Sequence, residues 1–168
     1  MPYELTTSTP SLQPCAADIE ASYDAEARIR KLPQAAIRLV HSLHGGVYTR
    51  TARVPAGVEF TSALILVPTT VIVHGDLLVL DRGVFVRFVG LQVLPASAYR
   101  RQVMRTIADT DITMIFPSRA TSVVEAEQEF TDEWRLLGHH PDDIIINTHE
   151  EPPCQDGQQQ PTSQPGPP

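Results

Sequence analysis

The groups in this 168-residue chain that could do chemistry are six histidines, two cysteines, a few paired acids and a run of arginines. His41 and His44 have i, i+3 spacing, which brings two metal ligands together on a helix but splays them apart on a strand. They read here as strand-edge residues, and His74 reads as a turn residue. His139 and His140 follow the end of a predicted helix, where a protonated imidazole is favoured by the helix dipole, and His149 begins the tail. Cys15 and Cys154 both fall in terminal segments, so free thiols are expected rather than a disulfide framework or a zinc pair. No serine sits in a nucleophile-elbow context, and no Ser-His-Asp or Cys-His set can be assembled. Asp109-Thr110-Asp111 could pair an acid with a base, but residues two apart just before a strand suit turn hydrogen bonds.

The arginines are concentrated. Between Arg50 and Arg105 there are seven, against Glu59, Asp76 and Asp81, a local excess of four positive charges in a chain of net charge −7. The acids collect in the flanks, from Glu125 to Glu133 and from Asp142 to Glu151. One reading is scattered, solvated arginines; the others are self-association between basic and acidic parts of different copies, or an anion-binding interior. The overall acidity argues against a basic stripe tracking a phosphate backbone, so no nucleic-acid partner is expected. Apolar runs such as Ala63 to Val67 are too short to cross a bilayer, so no membrane partner is expected. The N-terminus has no basic segment followed by an apolar one, which predicts a cytoplasmic residence.

The elements that must position these groups lie between Gly45 and Pro117, where short apolar runs are cut by Gly, Pro and Asp at the spacing of strands and turns. The spacing predicts a mainly β fold, one small antiparallel barrel or jelly roll over residues 34–117. Strands are expected at 34–41, 47–54, 58–60, 63–67, 70–73, 76–80, 84–89, 91–94, 99–107 and 111–116, with His74-Gly75-Asp76 and Asp81-Arg82-Gly83 as hairpin turns. A helix is predicted over 16–32, stopped by Pro33. A second is predicted over 122–137, with Ser122 and Glu125 as a capping box, a stripe of Val123, Ala126, Phe130, Trp134 and Leu137, and Gly138 at its end. A last short strand is expected at Ile144-Ile145-Ile146. Residues 1–15 read as a mobile arm, 16–149 as the single domain and 150–168 as a disordered Pro/Gln-rich tail.

The order of several motifs resembles the cupin superfamily, and more narrowly the small cupin proteins encoded by tailed bacteriophages and prophages. The pieces are Leu32-Pro33-Gln34, His41 or His44, Gly46-Val47-Tyr48-Thr49-Arg50, Pro55-Ala56-Gly57, Gly75-Asp76 and Pro95-Ala96-Ser97-Ala98-Tyr99-Arg100. They span roughly residues 30 to 137. The resemblance implies a single cupin-like barrel flanked by an N-terminal and a C-terminal helix. Metal-binding cupins place histidines and a glutamate on the strand after the Pro-Ala-Gly turn, and a further histidine on a later strand. Here Ala63 to Thr70 offers no ligand and Phe116 stands on the closing strand, so no metal and no cofactor are expected.

The resemblance also implies that Tyr48, Arg50, Glu59, Arg87, Arg100 and Gln102 lie on strands facing the barrel mouth. Guanidinium groups there could hold a carboxylate or phosphate bidentately. Alternatively they form an internal ion-pair network, such as Glu59 with Arg50 or Arg100. Three functions are expected, in this order. The first is a non-enzymatic, metal-free phage or prophage protein with a structural or assembly role, homo-oligomeric, in contact with other phage structural proteins and found in the host cytoplasm or the virion. The second is a binder of an anionic metabolite or nucleotide, counteracting host signalling. The third is an isomerase- or dioxygenase-type enzyme working through Glu59, Tyr48 and Asp109.

Overall fold

The computed structural model describes residues 11–139 and 141–148. Expectations for residues 1–10 of the arm and for the tail from 149 onward fall outside these residues. Helix α1 (Ala16–Ile29) is followed by β1 (Arg38–His44), β2 (Val47–Val54), β3 (Glu59–Thr61), β4 (Thr69–Asp81), β5 (Val84–Ala96), β6 (Val103–Thr106) and β7 (Thr110–Pro117). Helix α2 (Val123–Phe130), a 3-10 turn (Trp134–Leu136) and β8 (Ile144–Asn147) complete the described residues.

The sheet is organised around β4. Along its whole length β4 pairs antiparallel with β5. On its other side Thr70–His74 pairs with β7, whereas Leu77–Val79 pairs with β6. The sheet therefore turns at Gly75: one wing runs β7-β2-β1-β8 and the other β6-β3. The two wings curl toward each other into a half-barrel, and alternate residues of each strand point into it. On one wing the inward row His41, Arg50, Met114 and Val71 crosses four strands in register, beside the row Leu43, Tyr48 and Phe116.

Four expectations are corrected. First, Gly75 and Gly90 are not turn or break points: they face each other inside two continuous 13-residue strands. His74 consequently lies in mid-strand rather than in a hairpin. Second, residues 63–67 form no strand beyond one bridge between Ile65 and Arg100. Their backbone donors go elsewhere, Leu64 N to Glu133 Oε2 at 2.8 Å and Leu66 N to Phe130 O at 2.8 Å. Third, β1 starts at Arg38 rather than residue 34; the Gln34 side-chain amide instead donates to the carbonyls of Ile29 and Leu32 at and just after the end of the first helix. Fourth, the predicted 122–137 helix stops at Phe130. Thr131 is extended and fully buried, and its hydroxyl accepts from Glu133 N at 3.1 Å, starting a new turn with the chemistry of an N-cap.

Two apolar clusters hold the fold. One gathers Val71, Val73, Leu77, Val79, Phe88, Leu94 and Met104. Leu12 joins it, bridging Ala96. The other seats Val123, Ala126 and Phe130 of α2 on Leu43, Tyr48 and Phe116. The two-residue turn Arg82-Gly83 is fastened to α1 by Asp18, whose carboxylate accepts from Arg82 N (2.7 Å), Gly83 N (2.8 Å) and Cys15 N (2.9 Å). Burial alone would raise the Asp18 carboxyl, but these backbone donors outweigh it and hold it below its ordinary range.

Candidate functional site

Between the two wings lies a cavity of about 490 Å³. Leu39, Ala52, Val71, Leu77, Ile112 and Met114 give it apolar walls, and Phe130 with Leu136 to His139 closes one end. Its polar lining is rich in arginine: Arg50 comes from β2 and Arg100, Arg101 and Gln102 from the segment before β6, with Glu26 and Glu133 also lining it.

Each arginine is held differently. Arg50, inward on β2, pairs through Nη1 with Oε1 of Glu127, an α2 carboxylate with no solvent exposure. Arg101 donates Nε to Ser62 O (2.9 Å) and Nη2 to Glu26 Oε2 (2.5 Å), and its guanidinium lies 3.9 Å from the centre of the Tyr23 ring. Its Nη1 is buried with no partner. Arg100 donates Nη1 to Ser97 O (2.7 Å) and Nη2 to Thr69 Oγ1 (2.6 Å), and has no ion pair among the described residues. Burial pulls its pKa down to about 10, which leaves it cationic at neutral pH. Gln102 adds a second buried donor without a partner, its Nε2.

Beside the cavity, His41 and Tyr48 are buried and bonded to each other, Tyr48 Oη lying 2.7 Å from His41 Nδ1. Tyr48 stacks among Phe116 and Phe130 with ring centroids 5.5 and 6.3 Å away. Burial raises the Tyr48 hydroxyl to about 12. Burial, with the nearby Arg50 charge, lowers His41 to about 4, so its imidazole is neutral at pH 7.

Of the residues singled out from the sequence, Arg50, Arg100 and Gln102 line the cavity, and Tyr48 packs in the adjoining aromatic cluster. Glu59 and Arg87 lie apart. Glu59 sits on the edge strand β3 between Arg28 and Arg105, which hold its carboxyl below the ordinary range. Arg87 is exposed and forks onto Asp76 at 2.8 and 2.6 Å. The proposed pairing of Glu59 with Arg50 or Arg100 is therefore replaced by these partners. His41 is not a strand-edge residue but a fully inward one, whereas His44 reaches Thr148 at 2.9 Å. Asp109 accepts from Ala56 N at 2.8 Å and Asp111 faces Arg53 at 3.6 Å, so both serve local structure. Arg101 and Glu127 were missed as site residues, and His139, read from the sequence only as a helix-end group, also lines the cavity.

The positions at which the sequence resemblance would place a metal do not fit one here. Ala63 to Val67 present only apolar side chains, and Phe116 is buried against Tyr48 and Phe130.

The strand pairings and helices define a mainly β half-barrel with a helix before it and another after it. No protein-family profile and no curated protein matches the chain. Among solved structures it is similar to a cupin superfamily protein from Desulfitobacterium hafniense, with 11% identity and a TM-score of 0.42, over 52% of this chain and 82% of that one. A cupin-2 domain containing protein from Shewanella frigidimarina shares 14% identity at a TM-score of 0.38, over 54% and 89%. Salicylate 1,2-dioxygenase from Pseudoaminobacter salicylatoxidans shares 10% identity at a TM-score of 0.42, over 58% of this chain and 30% of its own.

Proposed function

We propose that the protein binds an amphipathic organic anion, a carboxylate on an apolar body, inside the half-barrel. One observation carries this reading: in a cavity of about 490 Å³ with mainly apolar walls, the lining residues Arg101 and Gln102 each hold a buried N–H donor with no partner. The volume falls within the roughly 300–1,000 Å³ of small-molecule sites. A buried donor without an acceptor costs about 1–3 kcal/mol, a cost that a carboxylate brought into contact with it by a small side-chain shift would cancel. Arg100, buried without a carboxylate partner, adds positive potential to the same wall.

The test uses octanoate and phenylacetate, with octanol and phenylacetamide as neutral counterparts, in calorimetric titrations. The acids are expected to bind at least ~10-fold more tightly than the neutral compounds, one charged hydrogen bond being worth about 1.5–3 kcal/mol. Gln102→Leu is expected to weaken the acids several-fold while leaving thermal stability level or improved, since it deletes an unpartnered polar group. Equal binding of acids and neutral compounds, or no binding of either at millimolar concentration, counts against the proposal.

A second reading rests on β5. Its outer face exposes Val89, Leu91 and Val93 in a row, and beyond the Leu12 contact at Ala96 its far edge pairs with nothing among the described residues. Such an edge fits an antiparallel two-fold pairing with a second copy. That self-association is what a structural role in a phage or prophage assembly needs. Leu91→Lys is expected to turn a dimer into a monomer in light scattering; a monomeric parent protein excludes this reading.

A further inference from the structure

His41 comes from β1, Glu127 from α2 and His139 from the segment after the 3-10 turn, yet their ligand atoms all lie within 4.8 Å of one another. Two of those atoms, His41 Nε2 and Glu127 Oε2, are buried and have no hydrogen-bond partner. His139 Nε2 stands 3.2 Å from Glu127 Oε2 but off the line of a hydrogen bond. The two imidazole centroids are 6.3 Å apart. Ligand atoms that approach one another, bury themselves and leave their lone pairs unspent have the arrangement of groups converging on a third body.

We propose that His41 Nε2, Glu127 Oε2 and His139 Nε2 bind a divalent first-row transition-metal ion. Around a tetrahedral ion with bonds of about 2.0–2.1 Å, ligand atoms stand about 3.3 Å apart. The Glu127–His139 pair already meets that spacing. The half-exposed side chain of His139 gives the ion a route from solvent. Two imidazoles with one carboxylate suit zinc, nickel, copper or iron rather than magnesium or calcium, which prefer all-oxygen shells. Three protein ligands leave a fourth position for water.

The surroundings orient the set. With the His41 proton on Nδ1 and donated to Tyr48 Oη, Nε2 presents its lone pair. Arg50 occupies Oε1 of Glu127 and so turns Oε2 toward the histidines. Its charge opposes a cation and sets a limit on affinity. None of the three ligands sits at a position where the sequence resemblance places a cupin metal, since the strand after Pro-Ala-Gly and Phe116 supply none.

The test is a titration of the untagged, chelator-treated full chain with zinc, followed by calorimetry and native mass spectrometry, with cobalt as an optical probe. One ion per chain is expected, with the intense visible absorption of tetrahedral cobalt. His139→Ala, at an exposed position where folding is not at stake, is expected to weaken zinc by ~100-fold; Tyr48→Phe, which removes the partner of His41, by ~10–100-fold. His44→Ala is expected to change nothing. Absence of stoichiometric zinc in the parent chain, or unchanged affinity in His139→Ala, overturns the proposal and leaves Glu127 and His139 as an ordinary ion pair.

Discussion

Gly75→Ala is expected to destabilise the fold by ~3–5 kcal/mol, a large share of the 5–15 kcal/mol that holds a domain of this size together. A Cβ at this position would stand 2.4 Å from Thr110 Oγ1, 2.7 Å from Asp109 O and 2.7 Å from Thr110 Cα. Two of these are backbone atoms, and the third cannot swing aside. Thr110 is buried, and its hydroxyl accepts from Asp76 N at 3.0 Å while donating to Ala108 O at 2.8 Å. The backbone φ of +149° adds strain for any side chain. The contact sits where β4 changes partner from β7 to β6, so relieving it means opening the angle between the wings and the cavity they enclose. Urea denaturation gives the measurement, with Gly90→Ala as control. Gly90 faces Gly75 across the hairpin with φ +74° but has open space around its missing Cβ, so only ~1–2 kcal/mol of backbone strain is expected there. Equal losses at the two glycines would show that close approach at Gly75 does not set the bend.

Glu127→Ala is expected to cost ~3–5 kcal/mol, because it leaves the Arg50 guanidinium in the core without its counter-charge. The Arg50 side chain is 14% exposed and that of Glu127 not at all, so the pair is largely shielded from bulk water. The pair as a whole is worth far less than its disruption, since both charges were already stripped of solvent. The double variant Arg50→Met with Glu127→Leu is accordingly expected to recover most of the loss, and a thermal-unfolding double-mutant cycle in the presence of chelator measures it. A loss below ~1 kcal/mol in Glu127→Ala would mean that Arg50 finds water or another acceptor.

Sequence patterning exposes those parts of the fold whose signals are local. β2 and β7 follow from alternation, the Arg82-Gly83 turn from its residues, and the start of α2 from Ser122 and Glu125, whose backbone N donates to the Ser122 hydroxyl. Gly75 and Gly90 mislead because a glycine in a hairpin turn and a glycine at a bend between facing strands leave the same mark; only the partner strand decides between them. At Arg100-Arg101-Gln102 alternation fails for a different reason. Tyr99 has φ +53°, the backbone there is not extended, and all three side chains are buried in succession. A period of two necessarily passes over the middle one, Arg101. Glu127 was within reach of pattern reading. Val123, Ala126, Glu127 and Phe130 fall at helical spacing on one face, so an acid in that stripe is an acid in the core. His139 carries no such mark, since its place depends on the break at Thr131.

The parallel pairing of β8 with β1 governs the order in which the molecule can form. His44 and Thr148, which bond at 2.9 Å, are 104 residues apart in the chain. A contact of that separation is repaid only after the intervening loop has been closed, which places it among the slow steps of folding. On a translating ribosome β1 can pair with β2 at once, whereas its other edge stays open until Ile144–Asn147 has been made. His41 and Glu127 can thus meet in a nascent chain that has not yet covered β1, and β8, the last strand among the described residues, seals the first of them.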